Sequence, residues 1–446
     1  MLLALEPKWT VSLNGIEFLA LSSSEISIAD STIRFGQYHR KISQLEWLRP
    51  NIVRIRGRSR FRTQFDTITL YPGDRVPSAA DLRKRRRAFQ IEIGRALCAY
   101  FGVRNVTRQT LHSDRQHGIG GAYPRFIVGK YAVITVAPDE SAAVVNGLMR
   151  AALLWAPVVR RPIAAVVPLG RHPTISARLR TMLHVRQAIQ WLQWDGDTVQ
   201  PLPDSATEPE THVQDFRMPD VSMEVARICN LAPDLLQAVP HIAGQAISIR
   251  LRGIELARVT AGGTTYSSDE PIIDVIAEID RVRRYGSRHP LSRAHEERWL
   301  ESNLLADIRQ VMPSIDVRHV YPQVPSFVGE DRNIIDLLTV TTDGRLVVIE
   351  IKAAADPDLP FQALDYWIAV ERHRKAGDFQ AKGYFTGCDL KNEPALLVLV
   401  APLLSYHKTS RRMIAVLPPE VPVMEIGLNQ TWKKHIKILR RRGMLS

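Results

Sequence analysis

Ile334-Ile335-Asp336-Leu337-Leu338-Thr339-Val340-Thr341 and Leu346-Val347-Val348-Ile349-Glu350-Ile351-Lys352 are two apolar runs joined through Thr342-Asp343-Gly344-Arg345. Runs of this composition on either side of Asp-Gly predict a β-hairpin. Asp336, Glu350 and Lys352 set three ionisable groups into it, and a charge inside an apolar strand is costly unless something pairs with it. Residues two apart on a strand share a face, so Glu350 and Lys352 project together. Asp336 lies 350 − 336 = 14 positions before Glu350, and a hairpin bent at Asp343-Gly344 lets the two carboxylates approach. With the backbone oxygen of Ile351 they form a ligand set for a hard divalent cation, Mg²⁺ or Mn²⁺. That set suits phosphodiester hydrolysis, in which a metal activates water and stabilises charge on phosphorus while an ammonium orients the nucleophile or offsets developing charge. The plainer alternative is a solvent-facing charge pair on an edge strand. Val347, Val348, Ile349 and Ile351 argue against it, because they predict a strand buried on both faces.

Outward from the hairpin, Trp299, Leu300, Leu304 and Ile308 recur at helical spacing. A strand is predicted near 317–324, a helix over 361–375 and a further strand near 380–385. Gln362-Ala363-Leu364-Asp365-Tyr366 places Gln362 and Tyr366 four apart, on one helix face. The order helix, three strands, helix, strand, carrying Asp336, Glu350-Ile351-Lys352 and Q-x-x-x-Y, resembles the PD-(D/E)XK nuclease superfamily. It is similar in particular to the RecB-like and NucS-like branches. The resemblance covers about residues 290 to 390 and departs from the family pattern at Ile335, where many members carry proline.

The resemblance implies a restriction-endonuclease-like mixed sheet flanked by helices, and a Mg²⁺-dependent hydrolase of DNA phosphodiester bonds. An endonuclease of repair, or of defence against phage and mobile elements, is expected. Asp336, Glu350 and the Ile351 carbonyl become the implied metal ligands, and Lys352, Gln362 and Tyr366 join them as implied catalytic residues. An acid from the preceding helix is also implied. Glu297 and Glu301 both qualify, and we assign Glu301 because it is nearer in sequence to the hairpin.

The rest of the chain bears on substrate. With 446 residues, 45% hydrophobic and 24% charged, the chain reads as a folded α/β (α+β overall) protein of two or three domains. A net charge of +13 favours a polyanion partner, most commonly nucleic acid. Cys98, Cys229 and Cys388 are too scattered for a disulfide framework or a zinc site. No uninterrupted apolar run reaches the roughly 18 residues of a membrane span, and the opening Met1-Leu2-Leu3-Ala4-Leu5-Glu6-Pro7-Lys8 has no basic leader. A cytoplasmic protein without membrane contact is expected.

Four blocks are predicted: a basic N-terminal module over 1–205, β-rich and then α/β; a Pro- and acid-rich linker over 206–220; a small middle α/β domain over 221–288, with a hairpin about Arg252-Gly253; and the nuclease-like block over 289–446. In the first, Arg54, Arg56, Arg58, Arg60 and Arg62 alternate along a predicted strand and share a face, as does a surface for phosphate backbone. Arg85 and Arg86 lie in the run Arg83-Lys84-Arg85-Arg86-Arg87 at a helix start, where the helix dipole disfavours cations, and are second candidates for such contacts. Lys433, Lys434 and Arg440-Arg441-Arg442 read as an unstructured basic tail. Residues 81–170 repeat the order helix, strand, strand, helix, strand, with Pro124, Thr135 and Ala137 where the nuclease-like block has its carboxylates and lysine. A degenerate, metal-free copy of the same fold is expected there. Two other functions compete: a nucleic-acid-binding protein that uses the fold as a scaffold, and a nuclease of structured RNA. Cutting both strands of a duplex calls for two centres, and hence a homodimer.

Overall fold

The computed structural model describes residues 8–13, 17–22, 25–29, 31–35, 38–49, 52–58, 66–72, 79–138, 140, 142–170, 173–203, 212–328 and 331–443. The fold is mixed α/β, with helices flanking mixed and antiparallel sheets. Two compact units make it up: Met1–Ala99 with Ala137–Ser141, and Tyr100–Val136 with Ala142–Ser446. The expected 1–205 block therefore divides, and its α/β half belongs with the C-terminal residues.

The first unit is a seven-stranded antiparallel sheet. Ile52–Arg58 runs between Tyr38–Arg49 and Asp66–Pro72. Val53, Ile55 and Gly57 face a core of Trp9, Val11, Ile33, Phe35, Ile68 and Leu70, while Arg54, Arg56 and Arg58 take the alternate, half-buried positions. Period-two alternation places the arginines on one face, as predicted. The strand Tyr38–Arg49 has no clear sequence signal, because polar and charged residues stand on both of its faces: His39, Lys41 and Ser43 are exposed, whereas Arg40 is buried.

The second unit holds two six-stranded mixed sheets and a small antiparallel one. In the C-terminal lobe Ile315–Val328, Asp331–Thr341 and Leu346–Ile351 form an antiparallel meander. The helix Leu359–Ala376 then crosses over to Leu396–Pro402, which pairs in parallel with Leu346–Ile351. Val423–Leu428 adds in parallel and Ile438–Gly443 closes the edge antiparallel. The predicted strand near 380–385 is instead the short helix Asp378–Ala381 followed by turns. Gly383, Phe385 and Gly387 all adopt positive φ there (85°, 54° and 75°), which extended pairing does not allow. The basic C-terminal stretch is a strand as well, with Arg440 lying 3.6 Å from the buried Glu425.

The middle domain is a four-stranded antiparallel meander, Leu236–His241, Ala246–Leu251, Ile254–Thr260 and Gly263–Tyr266, between the helices Ser222–Cys229 and Ile272–Val282. Of the expected linker, 206–211 lies outside the described residues, and 212–220 is docked. Phe216 donates its N–H to the Lys382 carbonyl at 2.8 Å and sets its ring edge-on to Tyr321.

The other α/β lobe has the strands Arg108–Thr110, Arg125–Val128, Tyr131–Thr135, Ile163–Pro168, Ile189–Trp194 and Val199–Pro201 side by side in chain order. A single apolar core runs through both lobes, from Ile134, Met149 and Val167 to Leu338, Val348 and Leu364. The stretch Ala142–Val159 is long and apolar enough to cross a membrane. Here it is half buried in the protein and carries Arg150, paired with Asp358 at 2.7 Å, a placement compatible with a soluble protein.

Candidate active site

Leu346–Ile351 is buried along its whole length, with strands on either side and the core on both faces. That position follows from its continuous apolar sequence, and it carries Glu350 into the interior at 1% exposure. The hairpin register pairs Leu337 with Ile349, so one step further sets Asp336 opposite Glu350. An Asp336 carboxylate oxygen accepts the Ile351 N–H at 2.8 Å. On a strand the N–H and C=O of one residue point to the same side, which is the side on which Ile351 meets Asp336. Lys352 turns its N–H the other way, to Val400 at 2.9 Å.

The Lys352 ammonium donates to Glu350 Oε1 at 3.0 Å and stands 3.7 Å from Glu297 Oε1. Glu350 Oε2 is buried with no donor besides the facing Asp336 carboxyl. Burial pushes the Asp336 carboxyl well above the usual range, and the neighbouring Glu350 adds to the rise. Burial likewise lifts Glu350 to about 7, against the opposing pull of Lys352. For Lys352 burial works against the charge, but Glu350, Asp336 and Glu297 outweigh it and hold the ammonium well above its ordinary value. Two carboxyls that face each other in this way share a proton or accept a cation.

Gln362 and Tyr366 sit one turn apart on the crossover helix, joined by a 3.0 Å bond from the Gln362 amide to the Tyr366 hydroxyl. Burial first and Glu350 second keep Tyr366 well above the usual phenol range, and Asp336 adds to this. The hairpin residues, Gln362, Tyr366 and Glu297 thus gather in one place. Glu301 is held differently. It is buried at 2% exposure, with one oxygen on Arg250 at 3.0 Å and the other accepting from the Gln323 amide. Burial raises its pKa against the pull of Arg250 and Arg298. Arg250 comes from the middle sheet and is fully buried. Its one sequence signal is a lone arginine between Ile249 and Leu251 in an apolar strand.

The residues fit a divalent cation on the evidence of the donor set: two carboxylates, a main-chain oxygen and, on Glu350, a buried oxygen with only the Asp336 carboxyl against it. Among the described residues no three His, Cys, Asp or Glu side chains gather into a metal-binding group, and the set here needs only two carboxylates. Of the proposed substrate arginines, Arg54 stands 3.8 Å from Glu46 across the strand pair, and Arg56 and Arg58 continue its face. Arg60 and Arg62 lie outside the described residues, and Arg85 and Arg86 fall in the helix Ala79–Phe101. Compared with models of protein families and with curated proteins, the chain has no match.

Proposed function

We propose that this protein is a metal-dependent nuclease that hydrolyses phosphodiester bonds in DNA, an endonuclease of repair or of anti-phage and mobile-element defence acting in the cytoplasm. One observation carries the reading. A buried strand holds Glu350 against Asp336, with one Glu350 oxygen on Lys352 and the other given no donor besides the facing Asp336 carboxyl. Burying a carboxylate so poorly satisfied costs stability, and a function that uses the oxygen explains its place. The three free cysteines suit a reducing compartment, and the net charge of +13 suits a polyanion.

Asp336, Glu350 and the Ile351 carbonyl would hold Mg²⁺ or Mn²⁺. Such an ion, when bound, makes water nucleophilic at neutral pH and offsets charge on phosphorus. Lys352 keeps its proton and sets a positive charge where negative charge builds up on the phosphate. Glu297, its other carboxylate neighbour, has a side chain 43% exposed and so stands on the open side of the lysine. It fits the role of the helical acid better than Glu301, whose oxygens are committed to Arg250 and Gln323. Tyr366 stays neutral and accepts from Gln362, which leaves its own hydroxyl hydrogen free to donate toward the acids or the substrate.

The test incubates the full chain with labelled single-stranded, double-stranded, branched and mismatched DNA, and with RNA, under Mg²⁺, Mn²⁺ or EDTA. Cleavage is expected with metal and not with EDTA. In Asp336→Ala and Lys352→Ala it falls by about a hundredfold or more. Wild-type rates in both variants would overturn the site.

A further inference from the structure

The two α/β lobes are laid out alike. In each, six strands lie in chain order, and the successive pairings run antiparallel, antiparallel, parallel, parallel, antiparallel. The register carries equivalence down to single positions. Val340 pairs with Leu346 next to the turn, and Asp336 and Glu350 stand four positions further along. In the other lobe Val128 pairs with Tyr131 next to the turn, and four positions further stand Pro124 and Thr135. The parallel pairing agrees, since Glu350 meets the fourth residue of Leu396–Pro402 and Thr135 the fourth of Ile163–Pro168. Ala137 occupies the position of Lys352.

None of these three residues carries a charge. The Thr135 hydroxyl is spent on the Val166 carbonyl at 3.0 Å. Counted from the start of each crossover helix, Gln362 and Tyr366 correspond to Val145 and Met149, both buried and apolar. Tyr123, next to Pro124, reaches over this helix start and donates to the Val144 carbonyl at 2.9 Å.

The lobes also meet directly. Pro173–Thr181 of the first packs on the crossover helix of the second, with Arg178 clasping both oxygens of Asp365 at 2.7 and 2.8 Å. Elsewhere between the lobes, Leu153 and Pro157 of the first and Met413 and Val416 of the second line one pocket, and Arg150 of the first lobe's crossover helix pairs with Asp358 at 2.7 Å. A buried ion pair and a common apolar core join the two lobes within one chain.

We propose that the lobe 100–203 is a built-in and chemically silent counterpart of the C-terminal lobe, so that one chain carries a paired nuclease with a single cutting centre and its product is a nick in one strand of a duplex. The product rests on the nuclease reading, whereas the in-chain pairing rests on the topology and the interface.

Two measurements on the full chain test this. In sedimentation, alone and with a short duplex, a single-chain mass and one chain per duplex are expected, and two chains per duplex overturn the pairing whether or not cleavage is seen. With covalently closed circular duplex, excess protein and Mg²⁺ or Mn²⁺, open circles should accumulate first and linear DNA should follow only by later independent nicks. Linear DNA as the first product overturns the proposal, as does nicking that persists in Asp336→Asn, since the first lobe would then be active. If no nucleic acid is cut under any metal, the nuclease reading falls and sedimentation still decides the pairing.

Discussion

Glu350 is buried, tied to a lysine through one oxygen and given no donor on the other besides the facing Asp336 carboxyl, and its pKa of about 7 follows first from burial. A carboxyl whose folded pKa lies above its unfolded value stabilises the fold below the unfolded value, near 4.5. That contribution is lost as pH rises through about 7. Thermal melts of the metal-free protein should therefore fall between pH 5 and 8 relative to Glu350→Gln, and Mg²⁺ should restore the wild type at the upper end. Parallel profiles for the two proteins would refute this. The sequence makes Asp336, Glu350 and Lys352 legible because charge in an apolar strand is rare. It leaves Glu297 and Glu301 equivalent, four apart on one helix. What separates them is Arg250, 51 positions before Glu301, and local spacing does not report a partner at that distance.

At the scale of elements, the hairpin and its crossover helix are readable because each is strongly patterned: two apolar runs about Asp-Gly, then an amphiphilic helix bearing Q-x-x-x-Y. Gly344 is required at the turn, since its φ is +91° and an added Cβ would sit 2.1 Å from the Asp389 carbonyl oxygen. Gly344→Ala is expected to cost about 1–3 kcal/mol from backbone strain, with more from that clash, read as a lowered denaturant midpoint at unchanged slope. A midpoint equal to wild type would contradict this. The stretch 380–385 misleads because Tyr384 and Phe385 have strand-like composition. Their aromatic side chains instead fill a cluster with Phe216, Tyr321 and Phe379, held by left-handed turns. The true next strand, Leu396–Pro402, is a plain apolar run, so the loss of register there is local.

Across the whole molecule, the repeated order of elements is visible in the sequence, whereas the pairing of the two lobes is not. It depends on Arg178 and Asp365, 187 positions apart, and on a shared apolar core. Side-chain exposures of 4% and 12% make this a buried pair, and removing one partner strands the other. Asp365→Ala should destabilise the two-lobed unit by about 3–5 kcal/mol, seen in chemical denaturation as one earlier transition that reports on both lobes. An unchanged midpoint, or loss of one lobe alone, would argue against a common core. The central claim, that Asp336 and Glu350 form a metal site, is tested most directly by calorimetric titration of Mn²⁺ near pH 7 in buffers of different ionisation heat. The wild type should bind with net proton release, and Asp336→Asn and Glu350→Gln should each lose about tenfold or more in affinity. Equal affinity in all three proteins would contradict the account.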